Sequence, residues 1–254
     1  MNLPKIAVQT YSVLESCGTQ TDYAESLKKI GMIGYTDVQM CDCISWDPYW
    51  LRETLDEAGL VGIASHESME SLDANRHETA KKLCIIGCQF VGIGGANITS
   101  LAETKAFANH YNTLVPFWKE QGITLTYHNH SFEFLKENGR TLMDELITLL
   151  SSDIAIVADV CWIQLAGLTP ANFLHKIKDR LQLVHYKDWE IIEGQRGDTA
   201  AIGEGNIDFQ AITDVCKEAG TEYYIVEQDN HRRDAFTNLT ISYKAMKELL
   251  MNKK

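Results

Sequence analysis

The chain is predicted to be an α/β protein, a single closed (β/α)8 barrel spanning residues 1–254. Three observations predict it. Eight short apolar runs recur along the 254 residues, with little polar alternation, as strands buried on both faces read. A helical stretch follows each run, bounded by the start and stop signals of helices. The turn after the first run, Tyr11-Ser-Val-Leu-Glu-Ser-Cys-Gly, carries no G-x-G-x-x-G, which an open doubly wound sheet would place there. Strict βα alternation calls for a parallel sheet, and eight units in about 250 residues close it.

The runs are Ile6–Tyr11, Tyr35–Met40, Val61–Ser65, Phe90–Gly94, Ile123–Tyr127, Ile154–Ala158, Leu181–Tyr186 and Tyr223–Val226. The helices between them are expected at Tyr23–Ile30, from Asp47-Pro48 to Ala58 before Gly59, and over Asn75–Ile86 before Gly87. They continue with one long helix over Ser100–Glu120, then Thr141–Leu150, a helix opened by Thr169-Pro170, Asp208–Ala219 before Gly220, and Phe236–Met251. Each start carries an N-cap or proline signal, and most ends carry a glycine.

Composition narrows the function classes. Asp and Glu number 35 against 23 Lys and Arg, a formal net charge of −12, which argues against gripping a phosphate backbone. Hydrophobic residues at 45% and charged residues at 23% suit a globular core rather than disorder. No apolar run approaches the roughly 18 residues of a membrane span. The opening Met1-Asn-Leu-Pro-Lys-Ile-Ala-Val has no basic segment leading into an apolar stretch, so no signal peptide is expected. The seven cysteines include the pairs Cys41/Cys43 and Cys84/Cys88, neither with a matching second half. They read as reduced thiols in or near the core, and the cytoplasm is the expected compartment.

A barrel of this kind works at the C-terminal ends of its strands. Those ends carry Gln9 and Tyr11; Gln39; His66 and Glu67; Gly94 to Asn97; Tyr127 to His130 with Glu133; Asp159 and Trp162; His185, Lys187 and Asp188; and Glu227 and Asp229. Polar groups repeated at one register are costly as packing. Asp159 directly follows the apolar Ile154-Ala-Ile-Val-Ala. His185 and Lys187 share a strand face, as do His128 and His130, with Asn129 on the other. Glu227 follows Tyr-Tyr-Ile-Val, and its plain structural role would be an ion pair with Lys187. His66 ends a short strand and would line the pocket. Mixed carboxylate and imidazole donors suit Mn2+, Mg2+, Co2+ or Zn2+. Such an ion would act as a Lewis acid on a sugar ketone or enediolate while a nearby His or carboxylate takes a proton from the adjacent carbon.

Several motifs carry a resemblance: Gln9-Thr-Tyr-Ser-Val, Tyr127-His-Asn-His-Ser-Phe-Glu-Phe, Asp159-Val-Cys-Trp, Ala166-Gly-Leu-Thr-Pro, Arg180, His185-Tyr-Lys-Asp, Gly203-Glu-Gly-Asn-Ile-Asp-Phe and Val226-Glu-Gln-Asp. Over nearly its whole length the chain resembles the xylose isomerase-like TIM-barrel superfamily, in its sugar phosphate isomerase/epimerase branch. The resemblance implies a divalent metal held by four strand-end ligands. Asp159, His185 and Glu227 match three of them, and Glu133 is the expected first ligand, with His128 as its alternative. His130, Glu133, Glu227 and Lys187 are the expected catalytic groups. Tyr11, Gln39, His66, His128, Trp162 and Lys187 are expected to contact substrate.

Gln39 and Trp162 stand where relatives carry Glu and His, which departs from a two-carboxylate proton shuttle. The implied activity is a metal-dependent isomerase or epimerase of a sugar or keto-sugar, through an enediolate. The alternatives are a 3-keto-glycoside lyase or hydratase using the same site, and a sugar-binding barrel without catalysis. Trp162 and the acidic charge speak against the metal-dependent DNA-repair endonucleases of the superfamily. The expected partner is a small-molecule sugar, with no nucleic acid and no membrane; self-association is left open. Lys187, Arg196 and Arg232-Arg233 form no evident phosphate cluster.

Overall fold

Eight parallel strands close into a barrel in a computed structural model that describes residues 4–41, 44–194 and 196–251. The strands are β1 (Lys5–Gln9), β2 (Asp37–Met40), β3 (Val61–His66) and β4 (Phe90–Ile93). They continue with β5 (Thr124–His128), β6 (Ala155–Asp159), β7 (Leu183–Tyr186) and β8 (Tyr223–Val226). Each pairs with its sequence neighbours, and β1 pairs with both β2 and β8 to close the ring. The predicted fold class is therefore the one observed.

Two apolar layers hold the barrel. The larger lies between the sheet and the helices and includes Leu27, Ile30, Val38, Leu51, Leu83, Trp118 and Leu239. The smaller fills the barrel with Ala7, Ile63, Ala64, Phe90, Val157, Leu183, Tyr223 and Ile225. Successive strand residues face opposite ways. So the residue two beyond Val157 is Asp159, two beyond Leu183 is His185, and two beyond Ile225 is Glu227. The hydrocarbon plug thus ends at one level, and polar side chains begin above it.

The helix signals act locally as read. Asp47 accepts from the Tyr49 and Trp50 amides at 3.0 Å, Pro48 opens the helix Pro48–Ala58, and Gly59 closes it at φ 68°. Ser100 accepts from the Glu103 amide. The single long helix expected over Ser100–Glu120 is instead two, Leu101–Asn112 and Val115–Glu120. Pro116 explains the break, because it lacks an amide hydrogen and its ring would clash with the carbonyl four residues back. The first strand also stops earlier than expected. Thr10–Ser16 turns into a 3-10 helix whose second residue, Tyr11, donates its amide to Gln9 Oε1 at 3.3 Å.

Between β7 and the next helix lies an antiparallel hairpin, Asp188–Ile192 with Arg196–Ala200, that the sequence reading did not include. Cys88 is buried as expected, whereas Cys84 is exposed. Cys43 lies outside the described residues. Among the described residues no helix is long and apolar enough to cross a membrane.

Gly92 in β4 sits where a Cβ would fall 2.1 Å from the Thr126 carbonyl oxygen of β5. Gly92→Ala is expected to destabilise the barrel by about 1–3 kcal/mol through overpacking, read as a lower urea midpoint at unchanged slope. An unchanged midpoint would show that β4 and β5 can separate at no cost.

Candidate metal centre at the barrel mouth

The last inward residues of β5, β6 and β7, with Glu227 just past β8, converge. One donor atom each from His128, Asp159, His185 and Glu227 lies within 4.8 Å of the others, and all four residues are buried. The strand register places them: Asp159 is the direct neighbour of His185 across β6 and β7, and the Glu227 amide donates to the Tyr186 carbonyl to extend β8.

Each imidazole has one nitrogen engaged by a partner outside the cluster. His128 Nδ1 lies 3.0 Å from the Gly94 carbonyl oxygen, which can only accept. Nδ1 therefore carries a proton, and Nε2 points inward, 3.6 Å from Asp159 Oδ2 and without a hydrogen bond; burial opposes charge on this ring, but Asp159 and Glu227 raise its pKa. His185 Nε2 lies 2.5 Å from Gln39 Oε1, and its Nδ1 lies 2.7 Å from Glu227 Oε2. Both of those partners are acceptors, so the ring alone could satisfy both only as imidazolium. Burial holds the His185 pKa below its ordinary value. A neutral ring can donate to only one of the two, so which contact is a hydrogen bond depends on the tautomer. A cation among the four donors would also meet His128 Nε2, which is buried without a hydrogen-bond partner. The donor set therefore fits a divalent metal, with Gly94 and Gln39 orienting the ligands.

Lys187 completes the charge balance. Its ammonium lies 3.1 Å from Asp159 Oδ2, 3.1 Å from Glu227 Oε2 and 2.9 Å from Asp229 Oδ1, and the side chain is only 2% exposed. Burial disfavours its charge, but Asp159, Glu227 and Asp229 overcome that and raise its pKa well above the ordinary value. Burial likewise pushes Glu227 toward the neutral form. Lys187 and His185 win, holding its carboxyl well below the usual range, and Lys187 with His128 lowers that of Asp159 against its own burial. Asp159, Glu227 and Asp229 share this one ammonium, and the raised pKa of His128 follows from the carboxylates beside it.

Glu133 does not join this group. Its oxygens accept from the Tyr127 hydroxyl at 2.8 Å and the His130 amide at 2.9 Å, in the 3-10 turn Phe132–Phe134. The structure thus brings His128, the alternative ligand, to the place expected of Glu133. Asn129 ties two strand ends together: its Oδ1 accepts from the Asp159 amide at 3.1 Å. Asp188 accepts from the amides of Gly203, Gly205 and Ile207 and so anchors the loop after the hairpin. Gln39, expected to touch substrate, instead holds His185. Asp229, a rim residue with no role assigned from sequence, is a partner of Lys187; its position three residues past β8 gave no periodic signal.

Above the cluster opens a cavity of about 680 Å³, lined among others by Tyr11, His66, Glu67, His128, His130, Trp162, Lys187 and Glu227. Burial, aided by His128, lowers the His130 pKa to about 4, and its Nδ1 has no partner. Burial with His128 and His185 holds His66 well below its ordinary value, and its Nε2 is also unpartnered. The Trp162 ring lies 5.0 Å from the Lys187 ammonium. Tyr11 is 44% exposed at the cavity's edge.

The model of one family, the xylose isomerase-like TIM barrel, matches residues 27–249. No curated protein matches the chain by sequence. Among solved structures it is similar to a sugar phosphate isomerase/epimerase from Parabacteroides distasonis, with a TM-score of 0.81, 20% identity and coverage of 99% of this chain and 95% of that one. It is similar to the D-allulose 3-epimerase from Methylomonas sp. in complex with D-allulose, with a TM-score of 0.76, 13% identity and 98% of each chain covered. It is also similar to an L-ribulose 3-epimerase, with a TM-score of 0.75, 13% identity and coverage of 98% and 95%. At these identities the likeness is one of fold.

Glu133→Ala strips the acceptors from a buried phenol and a backbone amide. It is expected to cost about 1–3 kcal/mol of stability, measured by thermal or denaturant unfolding. A smaller loss would show that water takes over both bonds.

Proposed function

The chain belongs to the xylose isomerase-like TIM barrel family, and from that premise we propose that it is a divalent-metal-dependent isomerase or epimerase of a sugar or keto-sugar. The observation that carries the reading is the convergence of His128, Asp159, His185 and Glu227 at the floor of a polar cavity, with His128 Nε2 turned inward and unpartnered. The names of two neighbours, a sugar phosphate isomerase/epimerase and an epimerase with D-allulose bound, support the substrate class.

A divalent ion held by these four residues would supply Lewis acidity to a sugar carbonyl and its neighbouring hydroxyl, and the donor set suits Mn2+, Mg2+, Co2+ or Zn2+. The remaining groups do the rest. His130, neutral near pH 7 and with Nδ1 uncommitted, takes the proton from the carbon beside the carbonyl. His66 presents a second neutral nitrogen on the same cavity. Lys187 keeps Asp159 and Glu227 ionised and places positive charge where an enolate oxygen develops. Trp162 walls the cavity and limits water. Among the described lining residues Lys187 is the one Lys or Arg, and three carboxylates already engage it. The reading is therefore of an unphosphorylated substrate.

A lyase is the second reading, and one observation favours it. A two-carboxylate shuttle through Glu133 or position 39 is blocked: Glu133 is occupied by Tyr127 and His130, and Gln39 is an amide held against His185. Proton removal by an imidazole, followed by loss of the group on the next carbon, needs no such pair.

Asp159→Ala and His185→Ala are expected to abolish stoichiometric divalent metal, measured by elemental analysis, whereas Glu133→Gln retains it. Metal retained in both of the first two would overturn the ligand set. His130→Ala is expected to keep its metal and to lower kcat by roughly 10²- to 10⁴-fold, with matching loss of solvent deuterium incorporation beside the carbonyl. A rearranged sugar as product supports the isomerase, and a released substituent the lyase.

A further inference from the structure

A second cavity of about 790 Å³ adjoins the first and shares Trp162, Asp229 and Asn230 with it. Its outer wall is the hairpin after β7, with Trp189, Gly197, Asp198 and Thr199. We infer that this cavity is a second-ring subsite, so that the substrate is a sugar whose reacting ring carries a further sugar or aromatic ring. The inference rests on reading the barrel mouth as a sugar site and extends it to the substrate's other half.

Three features make this a built site rather than a gap under a loose flap. First, the hairpin is fastened to the chain after β8. Thr199 Oγ1 donates to the Asn230 carbonyl at 3.1 Å and accepts from the Asn230 amide at 3.0 Å, and Asn230 Nδ2 donates to Asp198 Oδ1 at 2.9 Å. Gln228 Nε2 donates to the Thr199 and Asn230 carbonyls, and Arg232 pairs with Glu190.

Second, Gly197 seats the Trp189 indole: a Cβ there would fall 1.9 Å from Trp189 Nε1. A side chain at that position would displace the aromatic ring from the hairpin face. Third, the wall between the cavities is Trp162, whose indole Nε1 is buried and has no hydrogen-bond partner. Its amide is held by Asp159 Oδ1 at 3.0 Å, so its place is set by a residue of the metal cluster.

The chemistry of this lining suits a ring with hydroxyls. Trp162 and Trp189 offer flat apolar faces, and Asp198 and Asp229 offer carboxylate acceptors. Either cavity alone has the size of a complete small-ligand site. A single sugar placed at the metal cluster fills only the first and leaves the Trp189 side empty.

The test uses metal-loaded wild-type protein and matched pairs of probes, the methyl and 4-nitrophenyl β-pyranosides of a panel of sugars, with affinity read by titration calorimetry. Indole N–H shifts of Trp162 and Trp189 report the place of binding. For at least one sugar the 4-nitrophenyl partner is expected to bind at least tenfold more tightly, with the Trp189 signal moving only for that partner. Gly197→Val and, as a second variant, Trp189→Ala are each expected to remove most of the difference. Equal affinity within every pair, or a preference that survives both variants, overturns the subsite and leaves the sugar reading standing. Binding of no member of the panel overturns the sugar reading and the subsite together.

Discussion

The barrel mouth depends on one constraint: several charges are buried there, and each must find compensation within a few ångströms. The Lys187 ammonium bridges Asp159, Glu227 and Asp229 from the end of β7. Removing one partner of such a set leaves an uncompensated buried charge, which costs about 3–5 kcal/mol. The network therefore locks the ends of β6, β7 and β8 together. It also decides the chemistry, because the same ammonium keeps two carboxylates ionised that burial alone would neutralise.

The imidazoles follow the same logic through their second nitrogens. Gly94 accepts from His128 Nδ1 and so turns Nε2 inward, and Gln39 holds the His185 ring from its far side. Ligand geometry is thus set one layer out, on β2 and the loop after β4. This gives Gln39 a role that a carboxylate at that position would fill differently. An amide oxygen accepts one bond without adding charge to a cluster that already holds the carboxylates of Asp159 and Glu227.

Much of this was legible in the sequence because period-two alternation is simple. An apolar strand that ends in a charged residue of the same parity as its inward hydrocarbons puts that charge at the mouth, as for Asp159 and Glu227. Where the backbone leaves the strand, parity stops informing. Glu133 lies five residues past His128, but the 3-10 turn directs its carboxylate back onto Tyr127 and the His130 amide. Spacing alone does not reveal such a turn. The hairpin escaped for a different reason: Asp188-Trp-Glu-Ile-Ile and Arg196-Gly-Asp-Thr-Ala are short and carry no continuous apolar run. The break before Pro116 was legible in principle, since a proline past the first turn is incompatible with an unbroken helix.

The hairpin also explains how a stiff barrel acquires a larger site without altering its core. A loop can change while the strands keep their register, provided its own backbone groups are satisfied. Here Asp188 does that at one end, collecting the Gly203, Gly205 and Ile207 amides, and the Thr199–Asn230 pair does it at the other. Gly205 makes the first possible, because a Cβ there would fall 2.3 Å from Asp188 Oδ1. The His128, Asp159, His185 and Glu227 cluster and the hairpin cavity are then joined by Trp162, whose backbone is held by Asp159. Through that residue the geometry of the cluster and the shape of the space beyond it are mechanically linked.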